Sequence, residues 1–305
     1  MLRVEHLQKK FSFTVPRFTL KDIQFHLPKG YIMGLVGSNG CGKSTLIRTI
    51  LGLYQMDAGK VYFDGKKMEV AEEEIKESLG VVLDQGLFEK RWSAKKNASV
   101  YGPLFRKYNE ETFERYLKEF GVNPDIALKK LSKGNEIRFQ LAFALSHDAK
   151  LFVFDEPAAG LDKEFRKELL EIMRNLVIDG KRSVLVATHI MEDLEQSADY
   201  ITYMDKGQVL LSDDIEHIKD SFILVQAEEY KINLLPQQYV LYRKKGTYGT
   251  TALVAKDAEY ALDGAYQKHR PTIEDLMYYY TKSERVDKMA WMRNYCGHHV
   301  QERGV

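Results

Sequence analysis

The sequence predicts an α/β protein built on a mixed, largely parallel sheet, and three observations carry that expectation. A short apolar strand, Tyr31 to Val36, runs into the glycine-rich loop GSNGCGKST at residues 37 to 45, and TLIRTILGL follows as a helix. Two further apolar strands, LFVFDE (151 to 156) and SVLVATH (183 to 189), enclose a charged amphipathic helix with Leu169, Ile172, Met173 and Leu176 on one face. Alternation of strand and helix after such a loop calls for parallel strands with helices on the faces of the sheet.

The remaining elements follow in order. Residues 2 to 7 and 20 to 27 alternate apolar and polar side chains, with Ile23, Phe25 and Leu27 on one face, as half-buried antiparallel strands do. Pro28-Lys29-Gly30 makes a turn, and GKVYFDGKKM reads as a hairpin segment. From about Asp84 to Ser146 the pattern is helical: Phe113, Leu117 and Phe120 recur at helical spacing, and Glu136 to Ser146 is a second apolar-rich helix. YITYMDKGQVLLSD reads as a strand pair turning at Lys206-Gly207. Beyond Ile215 the pattern restarts with the short strands FILVQAE, YVLYRKKG and TTALVAK, then a helix around Thr272 to Lys282. The expected organisation is a core of residues 1–84 and 149–214, an inserted helical subdomain at 85–148, a small C-terminal α+β appendage at 215–285 and a tail at 286–305.

Composition bounds the function. The 305 residues carry 45 Lys+Arg against 44 Asp+Glu, so there is no basic excess of the kind nucleic-acid binding uses, and no nucleic-acid partner is expected. No apolar run approaches the roughly 20 residues of a membrane span, and the N-terminus MLRVEHLQKKF lacks the apolar core of a signal peptide. Two cysteines, Cys41 and Cys296, lie far apart, which predicts neither a disulfide framework nor a metal-ligand cluster. These features together suggest a reduced, cytosolic chain.

The loop Gly37, Ser38, Asn39, Gly40, Cys41, Gly42, Lys43, Ser44 and Thr45 fits the spacing Gly, four residues, Gly-Lys-Ser. Glycines let the backbone turn its N–H groups toward phosphate oxygens, and the following helix adds the positive end of its dipole. Lys43 supplies a point charge for the β- and γ-phosphates of ATP, and the Ser44 hydroxyl is a ligand for Mg2+. Cys41 reads more simply as a small inward-facing residue than as a redox centre. LFVFDEP sets two carboxylates at the end of an apolar strand. Asp155 would reach Mg2+, and Glu156 is poised to polarise an attacking water. An isolated Asp-Glu pair means little; downstream of a phosphate loop and on an apolar strand it is informative.

The order GSNGCGKST, Gln85, LSKGN (131 to 135), LFVFDEP, AGLD (159 to 162) and His189 resembles the nucleotide-binding subunits of ATP-binding cassette transporters, over residues 1 to about 212. The resemblance implies a P-loop NTPase core. It also implies that Gln85 touches the metal and senses a membrane partner, so the implied metal set is Ser44, Gln85 and Asp155. LSKGN would be the signature segment, with Ser132 and Gly134 binding the γ-phosphate held by an opposite subunit. Asp162 would cross the dimer interface, and His189 would contact the γ-phosphate and support Glu156. Adenine would stack on an aromatic residue near the N-terminus, Phe11 with Phe13 behind it. The family's usual LSGGQ is altered at Lys133 and Asn135, while Ser132 and Gly134 remain. An LSKG form and a small C-terminal extension are similar to subunits serving type-2, exporter-like permeases.

The implied function is an ATPase subunit that powers transport, in the export direction, through a permease on a separate chain and together with a second nucleotide-binding subunit, a copy or a paralogue. Such a chain would be cytoplasmic and peripheral on the inner face of the membrane. Three rivals stand against it. A non-transport member of the same ATPase class would show two cassettes or a long coiled coil. A kinase lacks the signature segment, and a GTPase would also carry an Asn-Lys-x-Asp guanine reader. A regulatory module without turnover would not need Glu156 and His189.

Overall fold

A computed structural model describes residues 1–11, 18–84, 87–158, 160–247 and 249–296. The chain divides into two compact units, Met1–His189 with Met204–Val209, and Ile190–Tyr203 with Leu210–Val305.

In the first unit, β1 (Leu2–Lys10) pairs antiparallel with β2 (Thr19–Leu27), Leu2 opposite Leu27 and Val4 opposite Phe25. Ile23, Phe25 and Leu27 share the buried face, as their alternation predicts. β3 (Ile32–Val36) leads through the glycine loop into α1 (Lys43–Ile50). β4 (Ala58–Phe63) returns antiparallel beside β1 and turns into the short β5 (Lys66–Lys67). α2 (Glu72–Glu77) and β6 (Leu79–Val82) follow.

The helical segment holds α3 (Ala94–Tyr101), α4 (Glu110–Glu119) and α5 (Lys133–Ala144). Each starts on a side-chain cap: Ser93, Asn109 and Ser132 accept from the backbone N–H of Lys96, Thr112 and Asn135. Such a cap contributes about 0.5–2 kcal/mol. The segment is held by an aromatic cluster in which Phe88 packs edge-on to Phe139 and Phe143 at 4.7 and 5.1 Å.

β7 (Leu151–Asp155), α6 (Lys163–Val177) and β8 (Ser183–Ala187) complete this unit's core. β3, β8, β7 and β6 lie side by side in that order, all parallel. Every residue of β3, β7 and β8 is buried, which is why these strands read as unbroken apolar runs instead of alternating ones. The arrangement brings the loop 37–45, the pair Asp155-Glu156 and the pair Thr188-His189 to the carboxyl ends of neighbouring strands. That is where open α/β sheets bind ligands.

In the second unit, α7 (Met191–Ser197) precedes β9 (Tyr200–Asp205) and β10 (Gln208–Asp214), which straddle the division and turn at Lys206-Gly207 with φ of 45° and 76°. After α8 (Ile215–Asp220) come β11 (Phe222–Ala227), α9 (Glu229–Leu234), β12 (Val240–Gly246), β13 (Gly249–Ala255) and β14 (Gln267–His269). The four strands form an antiparallel sheet in the order β12-β13-β11-β14, over a core of Val225, Ile232, Ala252 and Val254. α10 (Ile273–Lys282) opens on a capping box between Thr272 and Asp275.

Two boundaries differ from the expected ones. Residues 190 to 203, read as core, group with the C-terminal unit; the Glu195 carboxylate accepts from the Ile273 backbone N–H and ties α7 to α10. Residues 286 to 305, read as a tail, contain α11 (Lys288–Cys296). The sequence there shows no clear pattern, yet Trp291 is buried and stacks on Phe222 at 5.6 Å.

Candidate active site

The glycine loop is shaped by contacts that exclude side chains. A Cβ on Gly37 would stand 2.3 Å from the Met204 carbonyl oxygen, and one on Gly42 would stand 2.5 Å from the Phe18 ring. Both glycines also have positive φ, 152° and 114°, so any larger residue would reshape the loop. No side chain caps α1 and its first turn carries no acidic residue, which leaves its N-terminal amides and dipole available to an anion.

Lys43 is buried, and its ammonium donates to the Gly37 carbonyl at 2.8 Å. A cleft of about 270 Å³ is lined by Phe18, Asn39, Gly40, Gly42, Lys43, Ser44, Thr45 and Glu156. Cys41 is packed inward, and burial raises its thiol above the ordinary range, so it is no reactive thiolate.

Parallel pairing brings Asp155 to this loop. The Ser44 hydroxyl donates to Asp155 Oδ1 at 3.0 Å. The carboxylate is 1% exposed and its Oδ2 has no hydrogen-bond partner among the described residues. Burial holds Asp155 above the usual carboxylate range, opposed by the Ser44 hydrogen bond and reinforced by the negative charge of Glu156. A buried carboxylate oxygen lacking a partner is costly, and a hard cation removes that cost. Hydroxyl and carboxylate oxygens fit Mg2+ by donor type.

Glu156 adopts a left-handed backbone with φ of 52°, held by its N–H donating to the Ala187 carbonyl at 2.8 Å. Strain of this kind collects at functional sites, and here it turns the side chain off the end of β7. His189 Nδ1 donates to Glu156 Oε2 at 2.8 Å, while the His189 side chain is 56% exposed. The pair is fixed at its base and accessible from solution.

Ser132, Gly134 and Asp162 do not line this cleft. Ser132 is exposed and spends its side-chain oxygen on capping α5. Gly134 is buried where a Cβ would meet the Gly160 carbonyl oxygen at 2.7 Å, so Gly134 packs on the turn before α6. Asp162 caps α6 through the Phe165 N–H at 2.8 Å and pairs with Arg138, which together hold its carboxyl below the usual range. Lys133 pairs with Asp84, across the start of the stretch that holds Gln85.

Gln85 and Phe13 lie outside the described residues. Phe11 stands edge-on to Tyr54 at 5.4 Å and does not line the cleft, whereas Phe18 does. The segment VPRF carried Phe18 in plain view, but nothing in the sequence says that β2 begins one residue later and swings its ring over Gly42. Gln140 was also missed. Buried in α5, it accepts from the Leu83 N–H at 3.0 Å and donates to the Leu83 carbonyl at 3.1 Å, clamping the strand end beside Asp84. In sequence it is one polar residue inside an apolar helix, which was the available signal.

Among the described residues no helix is long and apolar enough to cross a membrane. The sequence profile of the family described as "ABC transporter" matches residues 20–159. The chain is 31% identical over 219 residues to the glutamine transport ATP-binding protein GlnQ of Escherichia coli (strain K12), across 68% of this chain and 89% of that protein. It is 29% identical over 227 residues to the lantibiotic transport ATP-binding protein SrtF of Streptococcus pyogenes, across 73% and 96%. A solved dimeric structure of a post-hydrolysis state of the ATP-binding cassette MJ0796 bound to ADP and Pi superposes with a TM-score of 0.63 at 20% identity, covering 70% of this chain and 98% of that one, and shares its fold. ATP-binding subunits of this family dimerise and work with membrane permease subunits. The chain belongs to the ABC transporter family, as an ATP-binding subunit that hydrolyses ATP, with Mg2+, to power transport.

Proposed function

We propose that the hydrolytic site is shared between two nucleotide-binding subunits, and that Glu156 is its catalytic base. The observation that carries this reading is the cleft itself. Loop residues Asn39, Gly40 and Gly42 to Thr45 line it with Glu156; Asp155 bonds to Ser44 and His189 to Glu156 at its edge, while Ser132 and Gly134 of the same chain do not line it. A second subunit, a further copy or a paralogue, supplies its own Ser132 and Gly134 equivalents opposite the loop, across Asp162.

In this reading the residues divide the work. Gly37 to Thr45 wrap the phosphates, and Lys43 exchanges its backbone carbonyl partners for phosphate oxygens. Ser44 and Asp155, with Gln85, hold Mg2+, which when bound neutralises phosphate charge. Glu156 orients and polarises the attacking water, and His189 holds the Glu156 carboxylate in place from its Nδ1 side. Phe18 is the aromatic platform for the adenine ring, in place of Phe11, because it lines the cleft. The permease is a separate chain reached near Gln85, transport runs outward, and the subunit works at the inner face of the membrane. Similarity to a lantibiotic transport ATPase and the LSKG form of the signature support that direction.

Ser132→Arg tests the shared site. It spares nucleotide binding by the single chain and cuts turnover by two orders of magnitude or more. Unchanged turnover would remove Ser132 from the site and with it the two-subunit reading.

A further inference from the structure

The second unit gathers three chemically distinct ligand groups that the ATPase reading leaves unused. Asp213 at the end of β10, His217 in α8 and Cys296 at the end of α11 each place one ligand atom within 4.8 Å of the others'. Two distant cysteines predict no metal cluster in the sequence, but the fold sets one of them beside an imidazole and a carboxylate. We propose that Asp213, His217 and Cys296 form a binding site for a borderline-soft divalent cation, Zn2+, that fastens α11 to β10 and α8.

The donor set decides the class of ion. A thiolate with an imidazole and a carboxylate suits Zn2+ and its analogue Co2+, whereas Mg2+ and Ca2+ favour oxygen alone. The spacing is within reach. Zinc bonds of about 2.0–2.3 Å put tetrahedral ligand atoms roughly 3.3–3.8 Å apart, so the His217–Asp213 pair, hydrogen-bonded at 2.7 Å, opens slightly while the other pairs, within 4.8 Å, close by about 1.5 Å at most. They are already oriented. His217 Nδ1 and Asp213 Oδ2 are 2.7 Å apart, and the other Asp213 oxygen accepts from the Asp214 N–H at 2.8 Å. Arg293, one turn before Cys296, donates to the Leu210 carbonyl at 3.1 Å and pins α11 to β10.

Cys296 is 2% exposed, with Trp291 and Met292 of its own helix buried beside it. Burial, with the negative charge of Asp213, pushes its thiol up to about 12, against a hydrogen bond with Ser221. Without a cation the site is therefore a neutral thiol beside a carboxylate. With one, the thiol releases its proton to solvent, the His217 ring gives up its Nδ1 contact with Asp213 and binds through Nδ1 as the neutral tautomer protonated at Nε2, and the buried carboxylate gains a counter-charge. Three protein ligands leave a fourth position, which water or another donor completes.

The test uses the full chain, stripped with a chelator and titrated with Co2+, then with Zn2+ against a chromophoric competitor. Expected are one Co2+ per chain, a near-ultraviolet thiolate-to-cobalt band, displacement by Zn2+ and no competition from millimolar Mg2+. The band disappears in Cys296→Ser and persists in Cys41→Ser. His217→Gln, at a half-buried position that tolerates polar replacement, keeps the fold and weakens Zn2+ binding tenfold or more. Absence of the thiolate band in the wild-type chain would overturn the proposal. So would zinc affinity unchanged in His217→Gln, or a band that follows Cys41 instead of Cys296.

Discussion

Replacing Gln140 by leucine removes a clamp that no contact with nucleotide would reveal. Gln140 is 3% exposed, and its amide satisfies both the N–H and the C=O of Leu83, itself buried at the end of β6. Leucine has nearly the same volume, so no large cavity forms. It leaves two buried backbone groups without partners, at about 1–3 kcal/mol each, and its greater apolarity recovers about 1–2 kcal/mol. The net loss is centred on about 2.5 kcal/mol, read as a shift in the urea midpoint by circular dichroism at constant slope. Gln140→Glu adds a sign test. The introduced carboxyl accepts from Leu83 when ionised but faces the Leu83 carbonyl with a charge; protonated, it donates as the amide did. Its folded-state pKa is therefore raised, so its stability is present at low pH and lost as pH rises, and its deficit against wild type shrinks on acidification. Because Leu83 precedes Asp84 and Gln85, Gln140→Leu also raises the Mg2+ needed for half-maximal turnover. Gln140→Leu matching wild-type stability within about 0.5 kcal/mol would refute the reasoning.

Two more outcomes are expected. Phe18→Ala weakens binding of a fluorescent ATP analogue by about 1–3 kcal/mol, roughly 5- to 160-fold, the range of base–aromatic stacking, while Phe11→Ala changes it less than twofold; equal effects would return the adenine to Phe11. His147 is buried against the Leu79 and Phe143 carbonyls, and burial lowers its pKa despite them. Its folded-state value lies below the unfolded one, so its contribution to stability is complete above about pH 6.5 and lost as pH falls; a His147→Gln chain shows a flatter fall in Tm between pH 7 and 5, and an unchanged fall would exclude this group.

The nucleotide half of the molecule was legible because its signals are local. The apolar strand before Gly37, the helix after Lys43 and the carboxylates ending LFVFDE each announce themselves within ten residues, and the parallel sheet follows from their alternation. The strand pair at Lys206-Gly207 was readable for the same reason. What escaped depends on contacts between distant segments. Phe18 enters the cleft only because β2 carries it over Gly42, and Gln140 matters only because α5 passes β6. Asp213 and Cys296 come together although they lie far apart in sequence, Cys296 on a helix whose Trp291 stacks on Phe222. The apolar residues of α11 show no clear pattern in the sequence, and their burial is seen only where the helix docks.

Phosphate release by wild-type and Glu156→Gln chains, with Mg2+-ATP binding measured on the same samples, tests the assignment of the base. The amide keeps the shape of the side chain and its contact with His189 but cannot polarise water as a carboxylate does. Turnover should fall by about 10²–10⁴-fold with nucleotide affinity within threefold of wild type, and the ATP-loaded chain should accumulate as a dimer on gel filtration. A Glu156→Gln chain that hydrolyses ATP at the wild-type rate would contradict the account.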